Sequence, residues 1–188
     1  MKKFTLMVTM LVLTGMAGFT QSFEKGSHAI NLGLGFGNTD YFGSKYYGFF
    51  PSVSGSYEYG IVTVPMGSKF TGIVSVGGYL GWSASNYKEN WEGYYYQYNT
   101  FIIAIRGNYH LIFHDKFDPY AGIWFGGRIH SGHWKGDGSH PGDWKPSKST
   151  PAAGAYLGAR WFFTKKFAAY AELGYLISVF NVGITFKF

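Results

Sequence analysis

The chain contains no cysteine. That absence excludes a disulfide framework, a thiolate metal site and a lipid anchor on cysteine, and leaves the compartment open. Charge is scarce as well. Asp, Glu, Lys and Arg make up 14% of the residues, against about 25% in an ordinary soluble domain. The formal charge of +6 falls to +4 once Lys2 and Lys3 are set aside. The remaining cations form no stripe and accompany no nucleic-acid motif, so nucleic acid is not an expected partner. After Leu13 no apolar run approaches the roughly 20 residues that a membrane-spanning helix needs. No segment carries a helical period, and no linker marks off a second domain.

Aromatic residues and glycine are abundant, at 21% of the chain and 28 residues respectively. The first residues read as an export signal: Lys2 and Lys3 precede a mostly apolar stretch, Phe4 to Leu13, and small residues follow at Ala17 and Gly18. A spanning helix is the weaker reading because the apolar stretch is short. The expected division is a signal peptide over 1–20, cleaved near Thr20 or Ser22, and a single domain over 21–188.

Two-residue alternation runs through that domain. Strands are expected near 28–37, 49–59, 72–83, 98–110, 119–130, 152–163, 167–177 and 181–188. In the last, Val182, Ile184, Phe186 and Phe188 share one face, and Asn181, Gly183, Thr185 and Lys187 share the other. Ile103 and Ile105 alternate in the same way with Ala104 and Arg106, as do Ile123 and Phe125 with Trp124 and Gly126. An exposed Val-Ile-Phe-Phe ribbon would aggregate in water. Against lipid it is a suitable surface, provided that the other face lines a closed barrel.

The expected fold is therefore all-β: an eight-stranded antiparallel up-and-down transmembrane β-barrel. Connections at 38–48, 84–97 and 131–151 read as long loops, and those at 111–117 and 164–166 as short turns. Short turns belong to the periplasmic side, which puts both termini in the periplasm of a bacterial outer membrane. The stretch 60–71 is long for such a turn, and loop 178–180 is short for an outer one. A soluble lipocalin-type barrel would bury its apolar face and expose charged side chains. Here the polar face is Gly, Ser, Asn and Tyr, a better filling for a narrow lumen.

Several segments carry a resemblance: Tyr57-Glu58-Tyr59-Gly60, Val76-Gly77-Gly78-Tyr79-Leu80-Gly81, Phe117-Asp118-Pro119-Tyr120-Ala121-Gly122, Leu157-Gly158-Ala159-Arg160-Trp161-Phe162-Phe163, Ala171-Glu172-Leu173-Gly174-Tyr175 and the terminal Phe188. In this order they resemble the small OmpA/OmpX-type outer-membrane barrels, in the form common among Bacteroidetes. The resemblance implies outer-membrane lipid as surroundings and the barrel assembly machinery, reading the terminal aromatic strand, as a partner during biogenesis. It implies no single activity.

Six charged residues carry the parity of the lumen: Glu58, Arg106, Arg128, Arg160, Glu172 and Lys187. Glu58 and Glu172 could form an acid/base pair with arginines holding an anion. The alternative, favoured here, is a salt-bridge network that plugs a lumen with room for little else. His130, His133, Asp137, His140 and Asp143 could offer metal ligands, yet the glycines between them leave nothing to position a third ligand. His130-Ser131 invites comparison with lipid A-modifying barrels, but neighbouring strand residues face opposite ways and no acid partner is evident. No catalytic residue, metal site or cofactor is assigned, and the protein is not read as an enzyme.

The connections are rich in Tyr and Trp. Tyr46, Tyr47, Trp91, Tyr94, Tyr95, Trp134 and Trp144 are candidate contacts for an extracellular protein or glycan. The expected role is a structural or surface-interaction barrel with a side-chain-plugged lumen. A narrow porin-like channel is the first alternative, and a membrane-embedded lipid A-modifying enzyme the second.

Overall fold

The computed structural model describes residues 23–39, 46–48, 51–66, 70–88, 95–135 and 147–188. The strands are β1 (His28–Asn38), β2 (Tyr46–Gly48), β3 (Ser52–Met66), β4 (Phe70–Lys88), β5 (Tyr95–Ile112), β6 (Phe117–Lys135), β7 (Ser147–Phe162), β8 (Phe167–Gly174) and β9 (Ser178–Lys187). Every pairing is antiparallel. β1 pairs with β3 on one side and β9 on the other, and β4 pairs with β5, so the sheet closes on itself. The result is the expected eight-stranded up-and-down barrel. The short β2 continues the line of β3 along β4, with Gly48 opposite Ser85 and Val53 opposite Trp82.

Alternation decides which face is which. Ile105 is 70% exposed and its neighbour Arg106 only 3%. Leu32, Leu80, Ile103, Ile123, Leu157, Leu173 and Ile184 are likewise on the outer wall, while Asn31, Tyr120, Trp124, Tyr156, Arg160, Tyr170 and Thr185 are buried inside. Backbone closure satisfies the amides and carbonyls that an open edge would leave unpaired. Glycines on the inner face give the bulky side chains room. A Cβ on Gly33 would sit 2.1 Å from the Tyr170 hydroxyl, and one on Gly158 2.4 Å from the Tyr120 ring.

Several strands run further than the alternation of apolar residues indicated. The expected loops 84–97 and 131–151 are corrected: β4 reaches Lys88, β5 starts at Tyr95, β6 reaches Lys135 and β7 starts at Ser147. Tyr46, Tyr47, Tyr95 and Trp134 therefore belong to strands. The apolar pattern stops where the outer face ceases to be greasy, but backbone pairing continues without it. At the other end, β3 continues to Met66 past a register shift between Gly60 and Val62, so most of 60–71 is a hairpin with β4. Both faces of Ile61–Met66 are exposed. The connection placed at 178–180 is the three-residue turn 175–177, with β9 already under way at Ser178.

The outer wall generates a direct test. Ile103→Arg places a cation on that wall, and refolding titrations into phospholipid vesicles should show a loss of about 2–4 kcal/mol if the site lies near the bilayer midplane. An unchanged midpoint would mean that the wall does not meet lipid.

Candidate functional site

The interior is arranged in tiers, starting from the end where β1 begins and β9 stops. Strand register sets the lowest tier. Asp118 of β6 is opposite Arg160 of β7, and Arg160 is opposite Tyr170 of β8. His110 of β5 lies opposite Tyr120. Across the lumen, the Arg160 guanidinium donates to Glu58 and, at 3.4 Å, to Asp118. His110 stands between both carboxylates, with Nε2 2.5 Å from Glu58 and Nδ1 2.8 Å from Asp118. Only the imidazolium donates at both nitrogens. Ser75 donates to Glu58 at 2.5 Å and Asn108 at 2.9 Å. The side chains of Glu58, His110, Asp118 and Arg160 have 0% exposure. Two carboxylates and two cations thus cancel in a site without water access, the condition under which buried charge is tolerated.

The second tier holds Arg106 and Glu172, 2.5 Å apart. Tyr120 donates to the same carboxylate oxygen at 2.8 Å. The Arg106 guanidinium lies 4.4 Å from the Tyr156 ring centroid and 6.0 Å from that of Tyr79, within the range of cation–π attraction. Tyr156 in turn donates to Asn108, which links this pair to the lower tier.

Above these two charge clusters lies an apolar cluster. Tyr79, Ile102, Ala104, Tyr120, Trp124, Tyr156, Leu176 and Ile177 form one buried cluster. Leu176 and Ile177 belong to the turn between β8 and β9, which folds into the barrel instead of outward. Its backbone is held there: Trp124 donates to the Tyr175 carbonyl at 2.5 Å, and Thr39 and Arg128 donate to the Leu176 carbonyl at 2.7 and 3.1 Å. Arg128 also faces the Tyr175 ring at 5.0 Å.

The lowest tier is capped by the chain itself. Phe23 is 1% exposed and stacks on the His110 ring at 4.6 Å, with the Arg160 guanidinium 5.4 Å from its centroid. The Gly26 amide donates to the Gly60 carbonyl, and the Gly60 amide to the Ser27 carbonyl, at 2.9 and 3.0 Å. Gly60 permits this contact, since a Cβ there would meet the Glu24 carbonyl at 2.4 Å. Gly26 turns the segment with φ of +85°, a conformation that costs glycine little.

All six charged residues singled out from the sequence are buried on the lumen face, but they do not form one group. Arg160 pairs with Glu58 and not with Glu172. Arg128 is held at the far end, and the Lys187 ammonium lies 5.4 Å from the Phe162 ring. Sequence reasoning missed His110, Asp118, Ser75 and Phe23. His110 carries the parity of Arg106 and Asn108, so extending the strand-four pattern by one step finds it. Of the aromatic contacts, Trp91, Tyr94 and Trp144 lie outside the described residues, as do Asp137, His140 and Asp143. His130 is in β6, where Thr100 is 3.2 Å from its Nδ1. Among the described residues no group of His, Asp and Glu is arranged to hold a metal ion.

No protein-family model matches the chain, and no curated protein matches its sequence. Solved structures do match its shape. The crystal structure of Ail, the attachment invasion locus protein of Yersinia pestis, superposes with a TM-score of 0.52 at 11% identity, over 87% of this chain and 99% of that one. Ail in complex with the heparin analogue sucrose octasulfate gives 0.51 at 10% identity, with the same coverage. The N-terminal β-barrel domain of Pseudomonas aeruginosa OprF gives 0.49 at 15% identity, over 88% of this chain and 100% of that one. At these identities the likeness to Ail concerns the fold: a small, closed, eight-stranded barrel.

Two substitutions test the tiers. Glu172→Gln strands Arg106 in the interior and should cost about 3–5 kcal/mol of unfolding free energy in vesicles. Retained stability with loss of a measurable function would instead make that carboxylate a working group. Phe23→Ala removes the cap and should cost about 3–5 kcal/mol. A variant as stable as the parent would show that the cap is dispensable.

Proposed function

We propose that the protein is an integral β-barrel of the bacterial outer membrane whose lumen is closed and whose contacts with its surroundings are made at the outer rim. Residues 1–20 serve as a signal peptide removed near Thr20 or Ser22, both termini lie in the periplasm, and the terminal aromatic strand is read by the barrel assembly machinery. The small OmpA/OmpX-type barrels, in their Bacteroidetes form, are the family reading. The observation that carries the closed lumen is its filling: Phe23 below, two neutralised charge clusters above it, and an apolar cluster under the inward turn. The apolar outer wall supports the membrane.

The filling argues against a channel, because no tier leaves its charges facing a water path. It also argues against chemistry at the arrangement that, among the described residues, most invites it. Ser75, His110 and Asp118 stand in the order of a hydrolase triad, with Ser75 Oγ 3.1 Å from Nε2 and Asp118 2.8 Å from Nδ1. However, Ser75 donates to Glu58, and a nucleophile with no exposed surface meets no substrate. A structural or surface-contact role remains. That a barrel of this fold, Ail, is named for attachment and was crystallised with a heparin analogue supports contact at the rim.

Single-channel recording in a planar bilayer provides the test. The purified protein should give no resolved steps above the lipid baseline. Stable conductance of the unaltered protein would favour the channel.

A further inference from the structure

Two adjacent turns concentrate positive charge on the near rim, the end where β1 begins and β9 stops. Residues 113–116 join β5 to β6, and residues 163–166 join β7 to β8. The Phe162 amide donates to the Lys116 carbonyl at 2.8 Å, which sets the turns side by side. Each is pinned by a side chain of its own. His114 Nδ1 accepts from the Lys116 amide at 3.1 Å, and Thr164 Oγ1 accepts from the amides of Lys166 and Phe167 at 3.2 and 3.0 Å. Lys116, Lys165 and Lys166 are exposed, against a single exposed carboxylate in these turns, Asp115. Among the described residues none of the three lysines forms a salt bridge. Elsewhere on this rim the described charges balance or turn inward: Glu24 stands next to Lys25, Ile61–Met66 is uncharged, and Lys187 is only 8% exposed.

Outward-facing rings flank the turns. Trp161 stacks on His114 at 6.1 Å and lies 6.1 Å from Phe117, which meets Phe113 edge-on at 6.0 Å. Phe113, Trp161, Phe163 and Phe167 all remain about half exposed. Further up the wall the side chains shrink. The next outward-facing row is Pro119, Ala159 and Ala171, and the one above it is Ala121, Leu157 and Leu173. That upper row borders a groove of about 630 Å³, which continues past Val76, Tyr109 and Ile123.

Cations at the rim, rings beside them and an apolar depression above repeat the vertical order of phosphate, glycerol ester and acyl chain. We propose that the paired turns bind the headgroup of an anionic phospholipid in the periplasm-facing leaflet, with an acyl chain lying over the alanine rows. The inference rests on the reading of the protein as a membrane barrel with these turns on the periplasmic side. Charge complementarity selects the anionic headgroup, since clustered lysines at a membrane surface attract acidic lipids and an ammonium group suits a phosphate as a point charge. A zwitterionic lipid would bring its own cation against lysines that have no carboxylate partner. The rings select a lipid over a water-soluble acidic peptide, which would leave Trp161, Phe163 and Phe167 facing solvent; such rings belong at the headgroup level.

The test uses the purified barrel in nanodiscs made of equal amounts of phosphatidylglycerol and phosphatidylcholine with identical chains. Native mass spectrometry reads which lipids stay bound once the disc is stripped away. Phosphatidylglycerol should be retained about fivefold or more over phosphatidylcholine. Lys116→Gln, Lys165→Gln and Lys166→Gln combined should bring the two lipids level. The corresponding triple change to arginine should keep the preference, and Lys25→Gln, on the same rim, should not move it. Neither glycerophosphoglycerol, the same headgroup without chains, nor hexaglutamate should displace the lipid. Equal retention of the two lipids by the unaltered protein would overturn the inference, whatever the variants do. So would a preference that survives the triple change to glutamine, displacement by glycerophosphoglycerol, which would leave a simple anion site, or displacement by hexaglutamate, which would indicate an acidic peptide. A barrel that inserts and remains non-conducting, yet shows no preference, would sink the lipid site and leave the closed-barrel reading intact.

Discussion

The interior depends on one carboxylate. Glu58 receives Ser75 and Asn108, meets His110, and holds Arg160. These partners arrive from β4, β5 and β7, so a single anion on β3 ties distant parts of the wall across the lumen. Such a group is costly in water-free surroundings unless each lone pair has a donor. Here the donors are in place, and Asp118 balances the second positive charge. Without Glu58 two cations would face each other in the same space. The remaining contents, Phe23 on the His110 ring included, sit against that arrangement.

Above Glu58 the closure changes character. Arg106 and Glu172 repeat the electrostatic solution with one pair, and then the filling turns apolar under Leu176 and Ile177. The change follows the chain. The lower strands supply long polar side chains opposite glycines, whereas the upper lumen is filled by a turn whose carbonyls need donors. Thr39, Trp124 and Arg128 supply them, which allows backbone to enter a buried space without losing its hydrogen bonds. The rim above this filling is built by β2, β4, β5, β6 and β7, since β8 ends and β9 begins lower down.

The architecture was legible from the two-residue period. The sidedness of Ile105 and Arg106, or of Leu157 and Arg160, follows from parity and needs no tertiary knowledge. Partner choice across the lumen was not legible. Arg160 lies diagonal to Glu172 on the wall, yet it spans the interior to Glu58, because barrel tilt and stagger decide which side chains meet across the axis. The upper strand ends were missed because polar residues fill both faces there, which removes the pattern but not the ladder. Phe23 was missed because a single aromatic residue ahead of the first strand has no period. Leu176 and Ile177 were missed because two apolar residues in a turn read as the end of a strand.

The pairing of β1 with β9 joins His28 to Phe188 through both backbone hydrogen bonds, at 3.1 and 2.9 Å. The first strand therefore waits for the last. Contacts of such sequence separation pay their loop-closure entropy before they return any stabilisation, and they slow folding. Until Phe188 is available, β1 has only β3 beside it, and its other edge is exposed to any strand that passes. A chain with this topology must be kept from premature pairing until its last strand is made, and its completion is an event in time as much as in space.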